Sequence, residues 1–230
     1  MSFDKIIDIT KIKVISFDLD NTLYDNTPVI KKAEKESQQY LSKEFSKQNK
    51  IFDVNQYISV RKELIRSNNV AFDNLTYLRQ ECLTQVCIKL QNSELIIEKA
   101  TKIFIDLRQE AKIPVEINKM IEKLSKCFIL VSMTNGNCDA KNLSVGQYFD
   151  KNYSPQQGYR AKPHAEMYEK VMTDFNIKAE EILHVGDEGN TDGLGANNAG
   201  CQFLEFRPFE KNITNSVNKF IAFFSLIDAL

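Results

Sequence analysis

The chain has 230 residues, 43% of them apolar, with 30 basic and 31 acidic side chains and a formal net charge of −1. That length gives one large domain or two small ones with a real core, and the even charge balance excludes the electrostatic footprint of a nucleic acid polymer or an anionic membrane partner. Cys82, Cys87, Cys127, Cys138 and Cys201 are odd in number and form no CxxC pair, so they read as reduced thiols of a cytoplasmic protein. Residues 1–11 carry Asp4 and Asp8 and no apolar core, so no signal peptide is expected. The apolar cluster Phe220–Ile227 is too short to cross a membrane.

The first predicted strand, Ile12–Asp18, runs into Asp18-Leu19-Asp20-Asn21-Thr22. In extended backbone alternate side chains share a side, so Asp18 and Asp20 project together. Two carboxylates there repel each other, and a divalent cation suited to hard oxygen ligands, such as Mg²⁺, offsets the repulsion. The pair also offers two roles, a nucleophile and a proton carrier. Alone, the stretch also reads as a strand followed by an Asp/Asn turn.

From about Asn26 to Ile113 no strand is predicted. Pro28–Leu41, Val54–Ile65 and Ser93–Leu107 read as helices, and Phe72, Leu75, Leu78, Cys82, Val86 and Leu90 recur at spacings of three and four. A βαβ crossover needs only about a dozen residues or slightly more, so this stretch reads as a helical domain inserted after the first strand, well placed to act as a lid.

Val115–Leu124 is the next predicted helix, with Ile117, Met120, Ile121 and Leu124 on one face, followed by a strand over Cys127–Met133. After it stands Thr134-Asn135-Gly136, where a hydroxyl and adjacent backbone N–H groups suit phosphate oxygens; the other reading is a hairpin turn. Asn137–Val145 is predicted as a helix, and Phe149–Tyr153 as strand or loop. Lys162 could neutralise a phosphate or a carboxylate, or be an ordinary solvated lysine, and Pro163 is predicted to open a helix carrying Met167, Tyr168, Val171, Met172 and Phe175. His164 reads as a surface residue. Ile182–Val185 is a fourth strand ending in Gly186-Asp187, with Asp192 further on. Asp187 would reach a metal and Asp192 would hold a metal-bound water or another ligand, unless the aspartates only cap a turn. A Gly-rich helix over Asn190–Ala199 and a strand over Gln202–Phe206 follow. Strands alternating with helices give an α/β fold, with a parallel sheet covered on both sides.

In order and spacing these pieces resemble the haloacid dehalogenase superfamily, in its phosphatase branch. Its pattern of DxDxT, Ser/Thr, Lys and GDxxxxD is met by Asp18-Leu19-Asp20-Asn21-Thr22, Thr134, Lys162 and Gly186-Asp187 through Asp192. The resemblance implies a Rossmann-like core over 1–25 and 114–230, with a C1-type helical cap inserted over 26–113. It places the first and fourth strands side by side, at a point where strand order switches and ligands bind. It implies that Asp18 attacks phosphorus to form an aspartyl phosphate and that Asp20 is the acid and base. Thr134, Asn135 and Lys162 would hold phosphoryl oxygens. Mg²⁺ would lie among Asp18, the Asp20 carbonyl, Asp187 and, directly or through water, Asp192. Phe17–Asp25 with Pro28, Thr134-Asn135-Gly136-Asn137 and Glu181–Asp187 are similar to a bacterial FMN-phosphatase subgroup.

The expected partner is therefore a small phosphorylated metabolite, best read as FMN. A pyrimidine nucleotidase, a sugar-phosphate phosphatase or a phosphomutase would use the same chemistry. A 2-haloacid dehalogenase would not need Asp20 as acid and base, and a non-enzymatic binding protein would be expected to lose a catalytic carboxylate, which this chain has not. Tyr24 and Asp25 are candidate specificity residues at the entrance. Tyr57, Phe72 and Tyr77 could stack on a flavin or a base, but burial within the cap is the favoured reading. Phe220, Phe223 and Phe224 read as core or docking contacts.

Overall fold

The computed structural model describes residues 7–210 and 212–225; the expectations for residues 1–11 and for Phe220–Ile227 fall partly outside them. β1 (Val14–Phe17) is buried throughout. Four helices follow: α1 (Asn26–Lys47), α2 (Val54–Arg66), α3 (Leu75–Cys87) and α4 (Ser93–Arg108). Then come α5 (Val115–Leu124), β2 (Ile129–Met133), β3 (Lys151–Tyr153), α6 (Glu166–Phe175), β4 (Ile182–Gly186), α7 (Leu194–Asn198), β5 (Gln202–Glu205) and α8 (Ile213–Ser225).

The five strands form one parallel sheet in the order β3-β2-β1-β4-β5. β1 lies between β2 and β4, with Phe17 paired to Ser132 and to Val185. The chain after β1 goes to one side of it for β2 and β3, and to the other for β4 and β5. The carboxyl ends of β1 and β4 therefore meet where the order reverses, the usual ligand crevice of an open α/β sheet.

Alternation along β1 sorts the two faces. Ile15 and Phe17 join one apolar cluster with Ile117, Met120, Ile121 and Leu124 of α5 and with Phe220 and Phe224 of α8, while Phe223 packs against it. Val14 joins the other with Met167, Tyr168 and Val171 of α6. Both faces are thus buried, as an all-parallel sheet requires.

The stretch from α1 to α4 builds a third apolar cluster of its own, from Leu41 and Phe45 to Ile96 and Ala100. α1 buries Ala33, Ser37, Leu41 and Phe45, and α4 buries Ile96, Ala100, Phe104 and Arg108. Both stripes step by four residues, the row that lets two helices interdigitate closely. Ser37 Oγ donates to the Ala100 carbonyl at 2.9 Å across that contact. Tyr57 is buried in this cluster, Phe72 packs on it, and the rings of Phe72 and Tyr77 stack at 5.9 Å.

Four expected helices differ. Asn137–Val145 holds no α-helix, only the 3₁₀ turn Ala140–Asn142, with another at Gly146–Tyr148. The side chain of Gln109 takes its backbone groups instead, donating to the Asn137 carbonyl at 3.0 Å and accepting from the Asp139 N–H at 2.9 Å. Pro163 does not open α6, which starts at Glu166. The Lys162–Pro163 peptide is cis, and the Pro163 carbonyl accepts from the Asn198 amide at 2.9 Å. Gly189–Gly193 forms a π-turn before α7, because Asp192 is drawn back to accept from the Glu188 N–H at 3.0 Å. Phe72 lies in a 3₁₀ turn ahead of α3. Among the described residues no helix is long and apolar enough to cross a membrane.

Candidate active site

Asp18 leaves β1 with its N–H on the Val185 carbonyl at 2.9 Å, so β4 fixes where the carboxylate begins. The chain then turns tightly: the Leu23 N–H reaches the Leu19 carbonyl at 2.9 Å, and Asn21 takes φ of 62°, a left-handed conformation that Asn tolerates. This turn directs Asp18 and Asp20 over the sheet's carboxyl edge while Leu19 and Leu23 are buried beneath it.

Lys162 is 3% exposed, and its ammonium reaches Asp18 Oδ1 at 2.8 Å, Asp192 Oδ1 at 2.6 Å and the Met133 carbonyl at 2.6 Å. Burial alone would lower its pKa, but Asp18 and Asp192 outweigh that and raise it, so the lysine is held charged. This is a buried counter-ion and not a solvated lysine. Its backbone is fixed by the Asn135 side chain, which donates to the Lys162 carbonyl and accepts from the Lys162 N–H, both at 2.8 Å. Asn135 thus orients Lys162, with its amide engaged on both atoms.

Asp192 is the most heavily engaged carboxylate of this site. Beyond Lys162 it meets His184 Nε2 at 3.2 Å and the Glu188 N–H. Burial opposes its ionisation, yet Lys162 and His184 prevail and hold its pKa well below the usual range. Burial, then Lys162, lowers His184 to about 4, so the ring is neutral, with Nδ1 against Ser16 Oγ at 2.8 Å. Gly186 permits this packing, since a Cβ there would lie 2.4 Å from Asp192 Cγ.

Asp187 and Asp18 face each other across Thr22, whose Oγ1 lies 3.3 Å from Asp187 Oδ1 and 3.3 Å from Asp18 Oδ2. One hydroxyl proton serves only one acceptor at a time. Asp187 is pushed up to about 6, chiefly by burial and next by Asp192; burial also drives Asp18 upward against the pull of Lys162. Oxygens of Asp18, Asp187 and Asp192 lie within 4.8 Å of one another. Such an under-neutralised set of hard oxygens fits a small divalent cation. Asp18 and Asp187 have the spare lone pairs, whereas Asp192 is already engaged by Lys162, His184 and Glu188.

Asp20 faces a different neighbourhood. Its Oδ1 accepts from the Tyr24 hydroxyl, and one Arg108 nitrogen reaches Oδ1 and Oδ2 at 2.8 Å each. Its Oδ2 lies over Gly136, where a Cβ would come within 2.7 Å of that oxygen and 3.2 Å of Thr134 Oγ1. Thr134 Oγ1 accepts from the Gly136 N–H at 2.9 Å, so Thr134-Asn135-Gly136 curls back on itself while β3 runs parallel to β2; it is no hairpin. Tyr24 is 1% exposed. Asp25 is exposed, accepts from the Thr27 N–H at 2.9 Å to cap α1, and lines a cleft of about 280 Å³ together with Asp187 and Arg207. His164 is exposed beside Arg160.

Sequence reasoning missed Arg108. Its signal was present: it continues the row Ile96, Ala100, Phe104 at the next step of four. An arginine on the buried stripe of a helix needs a buried partner.

A model of haloacid dehalogenase-like hydrolases matches residues 12–200. The 5-amino-6-(5-phospho-D-ribitylamino)uracil phosphatase YigB of Escherichia coli (strain K12) is 27% identical over 202 residues, covering 86% of this chain and 84% of that protein. A glyceraldehyde 3-phosphate phosphatase of Pyrococcus furiosus is 26% identical over 203 residues, covering 86% and 81%. The solved structure of a 2-haloacid dehalogenase from Pseudomonas syringae pv. Tomato DC3000 superposes with a TM-score of 0.79 at 26% identity, over 87% of this chain and 88% of that one.

Proposed function

This chain belongs to the haloacid dehalogenase-like hydrolase family, and we propose that it is a Mg²⁺-dependent phosphatase of small phosphomonoesters, with Asp18 as nucleophile. The observation that carries this reading is the buried Lys162 ammonium 2.8 Å from Asp18, beside a second carboxylate, Asp20, that has its own partners. An anionic substrate approaching an anionic nucleophile needs a fixed cation, and Lys162 supplies one.

In the reaction we propose, an Asp18 oxygen attacks phosphorus and the bond from phosphorus to the leaving oxygen breaks. Asp20 gives its proton to that oxygen. Water then attacks the phosphorus of the aspartyl phosphate, Asp20 takes a proton from it, and inorganic phosphate departs as Asp18 is restored. Thr134 and Lys162 hold phosphoryl oxygens, and Asn135 keeps Lys162 in place. Asp18, Asp187 and the Asp20 carbonyl, with Asp192 beside them, would hold Mg²⁺, which would supply positive charge against the transferring phosphoryl group. Residues 26–113 act as a cap on the core formed by 1–25 and 114–230.

For the substrate we propose a phosphate on the terminal primary alcohol of a ribityl chain. FMN carries that group, and so does the compound named in the Escherichia coli relative, which is matched over most of both chains. Asp25 and Arg207, lining the cleft beside Asp187, are candidates to meet the remainder of the molecule. The test is phosphate release with Mg²⁺ from FMN, 5-amino-6-(5-phospho-D-ribitylamino)uracil, glyceraldehyde 3-phosphate and a pyrimidine nucleotide. A preference for either ribityl phosphate supports the proposal. A preference for glyceraldehyde 3-phosphate or the nucleotide overturns the substrate and keeps the chemistry. Chloride release from a 2-chloroacid without phosphate release would favour the dehalogenase reading that the Pseudomonas structure invites.

A further inference from the structure

We infer that Arg108 is a positioning residue that presents Asp20 to the leaving group only while the helical stretch is seated on the sheet. The inference rests on the phosphatase reading above.

Arg108 is the last residue of α4, and Asn26 is the first residue of α1. The two stand where the chain leaves and enters the four-helix stretch. One guanidinium joins them: Arg108 donates through one terminal nitrogen to the Asn26 side chain and through the other to both oxygens of Asp20. A movement of α1–α4 that lifts the end of α4 off the sheet would carry Arg108 away from Asp20 or drag the carboxylate with it.

The contact also chooses which oxygen works. Asp20 Oδ1 accepts from both Tyr24 and Arg108, which fills its lone pairs. Oδ2 accepts from Arg108 alone and faces Gly136 and Thr134, the loop proposed to cradle phosphate. Arg108 is 1% exposed, and Tyr24 also 1%, so neither partner is free to drift into solvent. A planar guanidinium holds a carboxylate in one orientation, which an ammonium on a flexible stem does not. Proton transfer depends steeply on such placement.

The seat is reinforced away from Arg108. Asp73, in the 3₁₀ turn before α3, accepts from Arg160 Nε at 2.5 Å and from the Ala161 N–H at 3.1 Å, directly before Lys162. Thr76 of α3 lies 3.4 Å from the Asn137 amide, just after Gly136. The helical stretch thus touches the loops that carry Asp20, Lys162 and Thr134, and Arg108 is its contact with a reacting group.

The experiment compares kcat/KM for FMN, whose alkoxide leaving group needs a proton, with 2,4-dinitrophenyl phosphate, whose phenolate does not. This ratio reads only steps up to transfer of the phosphoryl group to Asp18. Arg108→Gln is expected to lower kcat/KM for FMN about 10- to 100-fold, a share of what a general acid contributes, and to leave the dinitrophenyl ester within about threefold. Arg108→Lys, which keeps the charge and guards against a folding failure, is expected to lose an intermediate amount on FMN alone. In an Asp20→Asn background, Arg108→Gln should add no further loss. Equal loss on both esters, or wild-type rates with FMN in both variants, overturns the role of Arg108. A wild-type protein that hydrolyses neither ester overturns the phosphatase reading, and the role of Arg108 with it.

Discussion

Gly186→Ala should damage this protein more than any other single-methyl change at the sheet edge. The added Cβ would lie 2.4 Å from Asp192 Cγ and Oδ2 and 2.7 Å from Asp192 Cβ. Asp192 cannot step aside: it is 2% exposed, and its oxygens are held by Lys162 at 2.6 Å, by the Glu188 N–H at 3.0 Å and by His184 at 3.2 Å. Overpacking of this kind costs about 1–3 kcal/mol, and a charge-assisted hydrogen bond lost with it costs about 1.5–3 kcal/mol more. A total of about 2.5–6 kcal/mol lowers the melting temperature of a chain this size by about 5–20 °C. Circular dichroism during heating reads that loss, and phosphate release from FMN reads the accompanying displacement of Lys162. Asp192→Ala removes Cγ and Oδ2 but keeps the Cβ at 2.7 Å, so in that background the same glycine change should cost clearly less, though not nothing, which is the sign of coupled neighbours. A melting temperature within 2 °C of wild type for Gly186→Ala, about the shift of a neutral substitution, would refute the steric argument. So would an undiminished cost in the Asp192→Ala background.

Asp18→Asn should abolish phosphate release, by about 10³-fold or more for loss of a nucleophile, while the circular dichroism spectrum stays that of the wild type. Lys162→Met removes the counter-ion of two buried carboxylates and should destabilise by about 3–5 kcal/mol, read as a fall in the urea midpoint. Asp187→Asn takes one spare carboxylate from the cation site and should raise the Mg²⁺ concentration for half-maximal turnover; an unchanged Mg²⁺ titration would remove Asp187 from that site. Asp174 is held at about 2, below its ordinary 3.8, chiefly by the Lys170 ammonium and further by Tyr153 and Lys151. Its depressed pKa contributes stability that is present above 3.8 and lost as pH falls through about 2. After solvent screening the contribution is about 1 kcal/mol. The stability gap between wild type and Asp174→Asn should accordingly be constant from pH 7 to 5 and narrower at pH 3, in urea titrations at each pH.

The sheet was largely legible because its strands are apolar runs ending in polar clusters, and those ends carry the site. Asp18, Lys162 and Asp192, about 175 residues apart at the extremes, meet within hydrogen-bond reach. What escaped was anything settled by a partner remote in sequence. Asn137–Val145 has a helical pattern, but Gln109 claims its backbone. The Asn135 side chain is committed to Lys162, a role not visible in the sequence, while its backbone N–H is the group offered to phosphate. Arg108 resembles any helix-terminal arginine until the burial of its stripe is known. Tyr24 and Asp25 are neighbours in sequence, but one turns inward to Asp20 and the other outward to cap a helix.

The position of β1 at the centre of the sheet bears on how the chain is made. Val14 pairs with Ile129 and Ile182, so the central strand emerges first from the ribosome and its two neighbours follow much later. At about 5–20 residues per second, the wait for β2 is about 6–23 s. During that interval α1 to α4, whose cluster is drawn from nearby residues, can collapse by themselves. Val14-Ile15-Ser16-Phe17, buried on all sides in the finished fold, has no ladder partner until β2 arrives. The nascent chain therefore carries this buried segment unpaired throughout the synthesis of α1 to α5, and refolding from denaturant should be slow and prone to aggregation at high protein concentration.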